Sequence, residues 1–298
     1  MIWHEIVNFD DYGALLGLVR NSLIAGAVLG LVGGLAGTFV VMRDLPFAVH
    51  GISELSFAGA AGALLLGTSV AGGSIAGALA AAALIGVLGA RARDRGSVIG
   101  VLMPFGLGLG VLFLSLYKGR SANKFGLLTG QIVAIDTPHL SWLLGTSAVV
   151  LVCLAVMWRP LAFASLDPDV AAARGVPVRT LSLSFMLVLG LAVAVSVQVV
   201  GALLVLALLC TPAAAAVRVT ASPVLAPVLS AVLATVSVVG GILLSIGSSI
   251  PVSPYVTTIS FVLYGVCRAT GALRARRGWT ARRRPAQPNA TASATAPT

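Results

Sequence analysis

Charged side chains are what this sequence has least of: they make up 9% of its 298 residues, and only nine are acidic. Soluble domains carry about 25% charge, so composition alone rules out a water-soluble enzyme or nucleic-acid-binding domain. Cysteine is scarce too. Cys153, Cys210 and Cys267 share no short spacing and fall in apolar stretches. They read as small core residues, with no support for a disulfide framework or a cysteine zinc site. No GxxxxGK[ST] run occurs, so the chain does not bind ATP through a P-loop. His4 and Glu5 are adjacent without the second histidine of a metalloprotease motif, and no GxSxG elbow surrounds Ser53. Nothing here is arranged for covalent chemistry.

What the chain does have is apolar length. Hydrophobic residues make up 58% of it, and the mean hydropathy is +1.03. A bilayer core of about 30 Å needs roughly 20 helical residues to cross. Runs of that kind recur near 21–41, 46–66, 70–90, 98–116, 138–158, 180–199, 201–217, 223–243 and 254–272. The expectation is an all-α polytopic transmembrane bundle of about eight or nine spans. Gly and Ala repeat at near-helical spacing in AGAVLGLVGGLAG and AGGSIAGALAAAA, a pattern that lets helices pack backbone to backbone in lipid.

Three segments follow from composition. Residues 1–20 lack a basic leader and a small-residue cleavage site, and they read as an interfacial segment with Trp3 and Tyr12 near the headgroups. The transmembrane domain fills 21–273. Residues 274–298 are basic, then rich in Pro, Ala, Ser and Thr, and are expected to form a disordered cytoplasmic tail. If the loop carrying Arg91, Arg93 and Arg95 is cytoplasmic, every basic residue except Arg20, Lys118, Arg120 and Lys124 lies on that side. The positive-inside rule then predicts a multi-pass cell-membrane protein with its N-terminus outside and its C-terminus inside. Topology and contact with anionic lipid account for the net charge of +10 without nucleic acid.

One loop has a readable structure, SLDPDVAAARGVPVRTLS at 165–182. Asp167 is a good N-cap, Pro168 suits the first helical position, and Asp169 complements the helix dipole. Gly175 can end the turn in the left-handed conformation, and Pro177 blocks continuation. The short helix this predicts, with Ala172 and Arg174 in its last turn, is unstable alone. It packs either on its own bundle or on a partner protein.

His50 and Glu54 stand four residues apart inside an apolar run. Counted from Arg43 at the cytoplasmic boundary, they lie about 10 and 16 Å deep at 1.5 Å per residue. A carboxylate there costs at least a few kcal/mol unless paired or hydrated, so it should face the bundle interior. Three readings stay open at this level: helix glue between neutral partners, a proton relay, or transient coordination of a divalent transition metal. Elsewhere, Asp136 and His139 mark a helix start at an outer boundary. Gln198 is a buried amide suited to helix-to-helix bonding or to a pathway. Pro212 should kink or break its helix, for gating or for packing. His4, Glu5, Asp10 and Asp11 could attract cations weakly, and more often such residues form a solvated face.

The stretch LDPDVAAARGVPVRTLSLSFMLVLGLAVAVSVQVVGALLVLALLCTPAAAAVRVT resembles the coupling segment and following spans of the membrane permeases of zinc and manganese ABC importers. GSVIGVLMPFGLGLGVLFLS and GTFVVMRDLPFAVHGISELSFAGAAGALLLG resemble two further segments of the same permeases, the second carrying their intramembrane metal ligands. The similarity spans roughly residues 20–272, and its most specific part is Asp-Pro-x-x-Ala-x-x-x-Gly-x-Pro followed by Gln-Val-Val-Gly.

The resemblance implies a type II ABC importer permease-like fold. Two copies would form the pathway, a separate cytoplasmic ATP-binding subunit would supply the hydrolysis, and an extracellular metal-binding protein would deliver zinc or manganese. No cofactor would be permanently bound. Asp167, Pro168, Asp169, Ala172, Arg174 and Gly175 would form the coupling helix seated in the ATPase, and His50 and Glu54 would meet the metal. Where the family carries Asp and then His four residues later, this chain carries His50 and then Glu54. Rival readings are the same architecture moving a chelated metal or haem, a proton-coupled secondary transporter, and a structural scaffold.

Overall fold

The computed structural model describes residues 17, 19–89, 92–119, 126–127, 135–202, 204–246 and 251–282, with the side chains of 92–94 and 275–282 outside the description. The N-terminal residues His4, Glu5, Asp10 and Asp11, the Arg91 and Arg93 side chains, and residues 283–298 therefore lie outside the described residues. Ten helices are described: α1 Arg20–Met42, α2 Pro46–Leu65, α3 Val70–Leu88, α4 Ala92–Leu116, α5 Thr137–Leu166, α6 Pro168–Ala173, α7 Val178–Val200, α8 Val205–Val219, α9 Leu225–Ser245 and α10 Val252–Arg282. Without water in a bilayer core, each backbone N–H and C=O must be satisfied within its own segment, and a helix does this. Eight of the ten are long and apolar enough to cross a membrane. The ninth expected span, α8, has 15 residues, about 22 Å at helical rise.

Helix boundaries follow local chemistry. Proline opens α2, α5 and α6, where its missing N–H has no intrahelical acceptor to lose. Ser69 caps α3 by accepting a hydrogen bond from Gly72 N at 3.2 Å. Gly201, at φ 88°, ends α7 and separates it from α8. Several boundaries differ from the sequence expectation: α4 begins at Ala92, six residues before 98, and α8 at Val205, four after 201. α5 runs eight residues past 158 because Arg159 and Pro160 sit inside it, and α10 stays helical through Arg282, beyond residue 273. Pro212 lies within α8 and does not break it.

Glycine pairing sets the close contacts and reveals the helix directions. A Cβ on Gly34 would overlap the backbone of Ala231, and one on Gly30 that of Thr235, so α1 and α9 touch backbone to backbone and run antiparallel. Ser230 Oγ donates to Gly34 O at 2.8 Å across this contact. Gly59 meets Gly73, and Gly77 meets Leu55, which makes α2 and α3 a second antiparallel pair. Gly51 faces Ile99 and Met103 on α4, while Gly62 faces Phe113, so α2 and α4 run parallel. α1, α2 and α7 form the centre and are the most buried spans; α3, α4, α5 and α10 present most of their surface outward. The outward faces carry Phe47, Phe105, Val156 and Phe261, as a lipid-facing surface requires.

The alternation puts the α1–α2 turn, α6 and the start of α7 at one end of the bundle. The α2–α3 turn, the start of α5 and the end of α7 lie at the other. Gly271 packs against Arg218 O, which adds the ends of α8 and α10 to the first group. Arg43, Arg174, Arg179, Arg218 and Arg274 thus gather at one end.

Candidate metal site and coupling helix

α1 ends at Met42, and the chain reverses through Asp44, the one described non-glycine residue at positive φ (54°). Depth along α2 is therefore counted from Pro46 and not from Arg43. That moves His50 to about 6 Å and Glu54 to about 12 Å from the helix start at 1.5 Å per residue. His50 Nε2 lies 3.7 Å from Glu54 Oε1, and the two side chains are 28% and 6% exposed. The separation is too long for a hydrogen bond. It suits a shared ion, since a divalent metal sits about 2.0–2.2 Å from an imidazole nitrogen or carboxylate oxygen. Nδ1 of His50 is buried and has no hydrogen-bond partner, and an unpaired buried polar atom calls for an explanation in function. Ser53 Oγ is turned away from the pair and donates to His50 O at 2.8 Å.

The pair stands on a stiff support. Gly106 of α4 packs against the Glu54–Leu55 backbone. Two residues further, Ser56 Oγ lies 2.8 Å from Ser74 Oγ on α3, and Ser74 Oγ reaches Ala194 O on α7 at 3.4 Å. Ser56 and Ser74 are fully buried, so α2, α3 and α7 are joined by a tight polar layer directly beyond Glu54. Among the described residues no three of His, Cys, Asp and Glu cluster.

At the basic end, Arg43 lies over the Phe185 ring at 5.7 Å. Phe185 in turn meets Phe39 edge-on at 6.1 Å, and Phe39 meets Trp158 at 5.0 Å. This ladder ties the α1–α2 turn to α5 and α7. Burial, and then the like charge of Arg95, pull the Arg43 guanidinium below its ordinary value. One of its terminal nitrogens is buried without a partner.

α6 has the geometry its sequence predicts. The Asp167 carboxylate accepts from Val170 N at 3.0 Å, Arg174 is the C-cap, and Gly175 has φ 83°. Ala171 is fully buried and pins the helix to the bundle, while Asp169, Ala172, Arg174 and Gly175 face outward. At the opposite end Gln198 lines a cavity of about 320 Å³ with Asp136 and His139. Asp136 occupies the N-cap position of α5 but makes no side-chain capping bond. It lies instead 3.8 Å from His139 Nδ1. The structure thus brings His50 to Glu54 and assembles α6 as a unit, with Gln198 at the far end and Pro212 buried in α8. The meeting of Gln198 with Asp136 and His139 has no trace in sequence spacing.

A many-helix bundle with a buried imidazole–carboxylate pair and an exposed capped helix at its basic end is the build of a membrane transport subunit. The chain belongs to the ABC 3 transport family, whose model matches residues 16–270. It is a multi-pass membrane permease of the metal ABC importer class. It is 27% identical to the manganese transport system membrane protein MntC of Halalkalibacterium halodurans over 76% of this chain and 78% of that one. It is 29% identical to the manganese transport system membrane protein MntD of Bacillus subtilis over 84% and 90%. Among solved structures it resembles PsaBC from Streptococcus pneumoniae in complex with Fab, with a TM-score of 0.78, 25% identity, and coverage of 87% and 95%. The resemblance read from the sequence is thereby shown at the level of family and fold.

Proposed function

We propose that this chain is the permease subunit of an ATP-driven importer that carries a divalent transition metal inward, manganese first and zinc second. The observation that carries the reading is the His50–Glu54 pair, 3.7 Å apart in the inner half of a buried span, in a chain whose relatives are named for manganese transport. Imidazole plus carboxylate is a donor set these ions accept. Two ligands hold a passing ion, and the partial exposure of His50 leaves it open toward a second copy, whose own pair would complete the coordination sphere. Basic residues at the α6 end orient that end to the cytoplasm. The N-terminus is then outside, and α6 is the contact for a separate ATP-binding subunit. Metal delivered at the outer face by a binding protein pauses at His50 and Glu54, then leaves inward when motion of α6 rearranges the bundle.

Manganese uptake into proteoliposomes containing the permease and its ATPase tests this. Uptake should require ATP and be indifferent to a proton gradient. Uptake driven by the gradient without ATP would establish a secondary transporter instead.

A further inference from the structure

The cavity at the outer end gathers a carboxylate, an imidazole and an amide, Asp136, His139 and Gln198. The sequence contains three histidines, and both described ones stand one helical turn from a carboxylate at nearly the same distance: 3.7 Å for His50–Glu54 and 3.8 Å for His139–Asp136. In the second pair the oxygen and nitrogen again lie beyond hydrogen-bond range and within the span of one shared ion. Both side chains open into the cavity that Gln198 also lines. The Gln198 amide nitrogen is buried and without a partner. Rotation of its last torsion by half a turn presents the amide oxygen at the same place, so the amide can serve as a ligand. The walls are otherwise apolar, with Leu64, Leu127 and Trp142 among them. The volume of about 320 Å³ holds an ion and a six-water shell at about 30 Å³ per water.

We propose that Asp136, His139 and Gln198 form a second divalent-cation site, a receiving station at the outer end for the ion that His50 and Glu54 meet next. The inference rests on the transport reading. The floor of the cavity, Val195 to Val199 of α7, begins one residue past Ala194, whose carbonyl meets the Ser74–Ser56 layer above Glu54. Ser56 and Ser74 are fully buried, so along α2 this packed pair stands between Glu54 and Leu64, which lines the cavity.

Trp142 in the cavity wall supplies a direct readout, because Mn2+ is paramagnetic and quenches nearby indole emission. Purified full-length permease titrated with Mn2+ should show a saturable quench that is lost in Trp142→Phe, retained in Glu54→Gln, and shifted at least about tenfold to higher concentration in Asp136→Asn/His139→Ala. Both altered side chains are more than 70% exposed, so the double change leaves the fold alone. In the Glu54→Gln background, where the inner pair no longer contributes quenching of Trp158, an unshifted quench in the added double change, a quench that survives Trp142→Phe, or the absence of any saturable quench would each overturn the proposal. Transport by the Glu54→Gln variant decides the inner pair independently, so failure of the outer site and failure of the transport reading are distinguishable.

Discussion

Asp167→Ala is the change whose effect on α6, the proposed ATPase contact, can be worked out most fully. Its carboxylate accepts one hydrogen bond, from Val170 N at 3.0 Å, and that bond satisfies an N–H with no partner inside the helix. Replacing an N-cap Asp by Ala costs about 1 kcal/mol. In a long helix that loss would be absorbed. α6 has six residues, too few to repay nucleation without help, and Ala171 is its single buried anchor. A loss of about 1 kcal/mol lowers the docked-to-undocked ratio about fivefold, and for a helix this marginal, with a ratio near one, that change depopulates the docked form. Manganese taken up per ATP hydrolysed, measured in proteoliposomes with the ATPase, should fall by a similar factor while permease yield and thermal stability stay unchanged. Asp167→Asn should restore coupling, because Asn caps as well as Asp. Wild-type coupling in the Ala variant, or an Asn variant as poor as Ala, would refute the reasoning.

Other expectations follow from the packing. Gly34→Val drives a side chain into the Ala231 backbone and should cost about 1–3 kcal/mol or more, read as a lower melting temperature of the purified permease; an unchanged melting temperature would mean that α1 and α9 separate easily. Trp158→Leu removes an edge-on aromatic contact with Phe39 worth about 0.5–1.5 kcal/mol beyond its area, and a thermal-shift assay should register that loss. Pro212→Ala returns a hydrogen bond to the middle of α8 and should raise the melting temperature. If the proline also serves gating, uptake slows in the same variant, and undiminished uptake would make Pro212 a packing residue only.

Much of the fold was legible because lipid simplifies the problem. With backbone satisfaction imposed on every span, apolar length alone located α1 to α4, and Asp-Pro with Gly175 located α6. The His50–Glu54 face was legible for the same reason, since four-residue spacing fixes a shared face and apolar context makes a carboxylate conspicuous. Depth was not: the reversal at Asp44 depends on one residue at positive φ, which no hydropathy window registers. The far ends of α5 and α10 were missed because Arg159 and the arginines after 273 mark where lipid stops, while a helix can continue into water. Gln198 shares a cavity with Asp136 and His139 through the packing of α5 on α7, and residues some sixty positions apart in the chain leave no local pattern.

In the proposed mechanism His50 and Glu54 hold the ion in transit. Elemental analysis of cells expressing the intact permease with its ATPase, beside cells expressing His50→Ala or Glu54→Gln at equal protein level, tests it most directly. Manganese should fall in both variants, with zinc falling too if the second ion shares the path. Unchanged manganese and zinc in both variants would contradict it, reducing the pair to a contact that holds α2 in place.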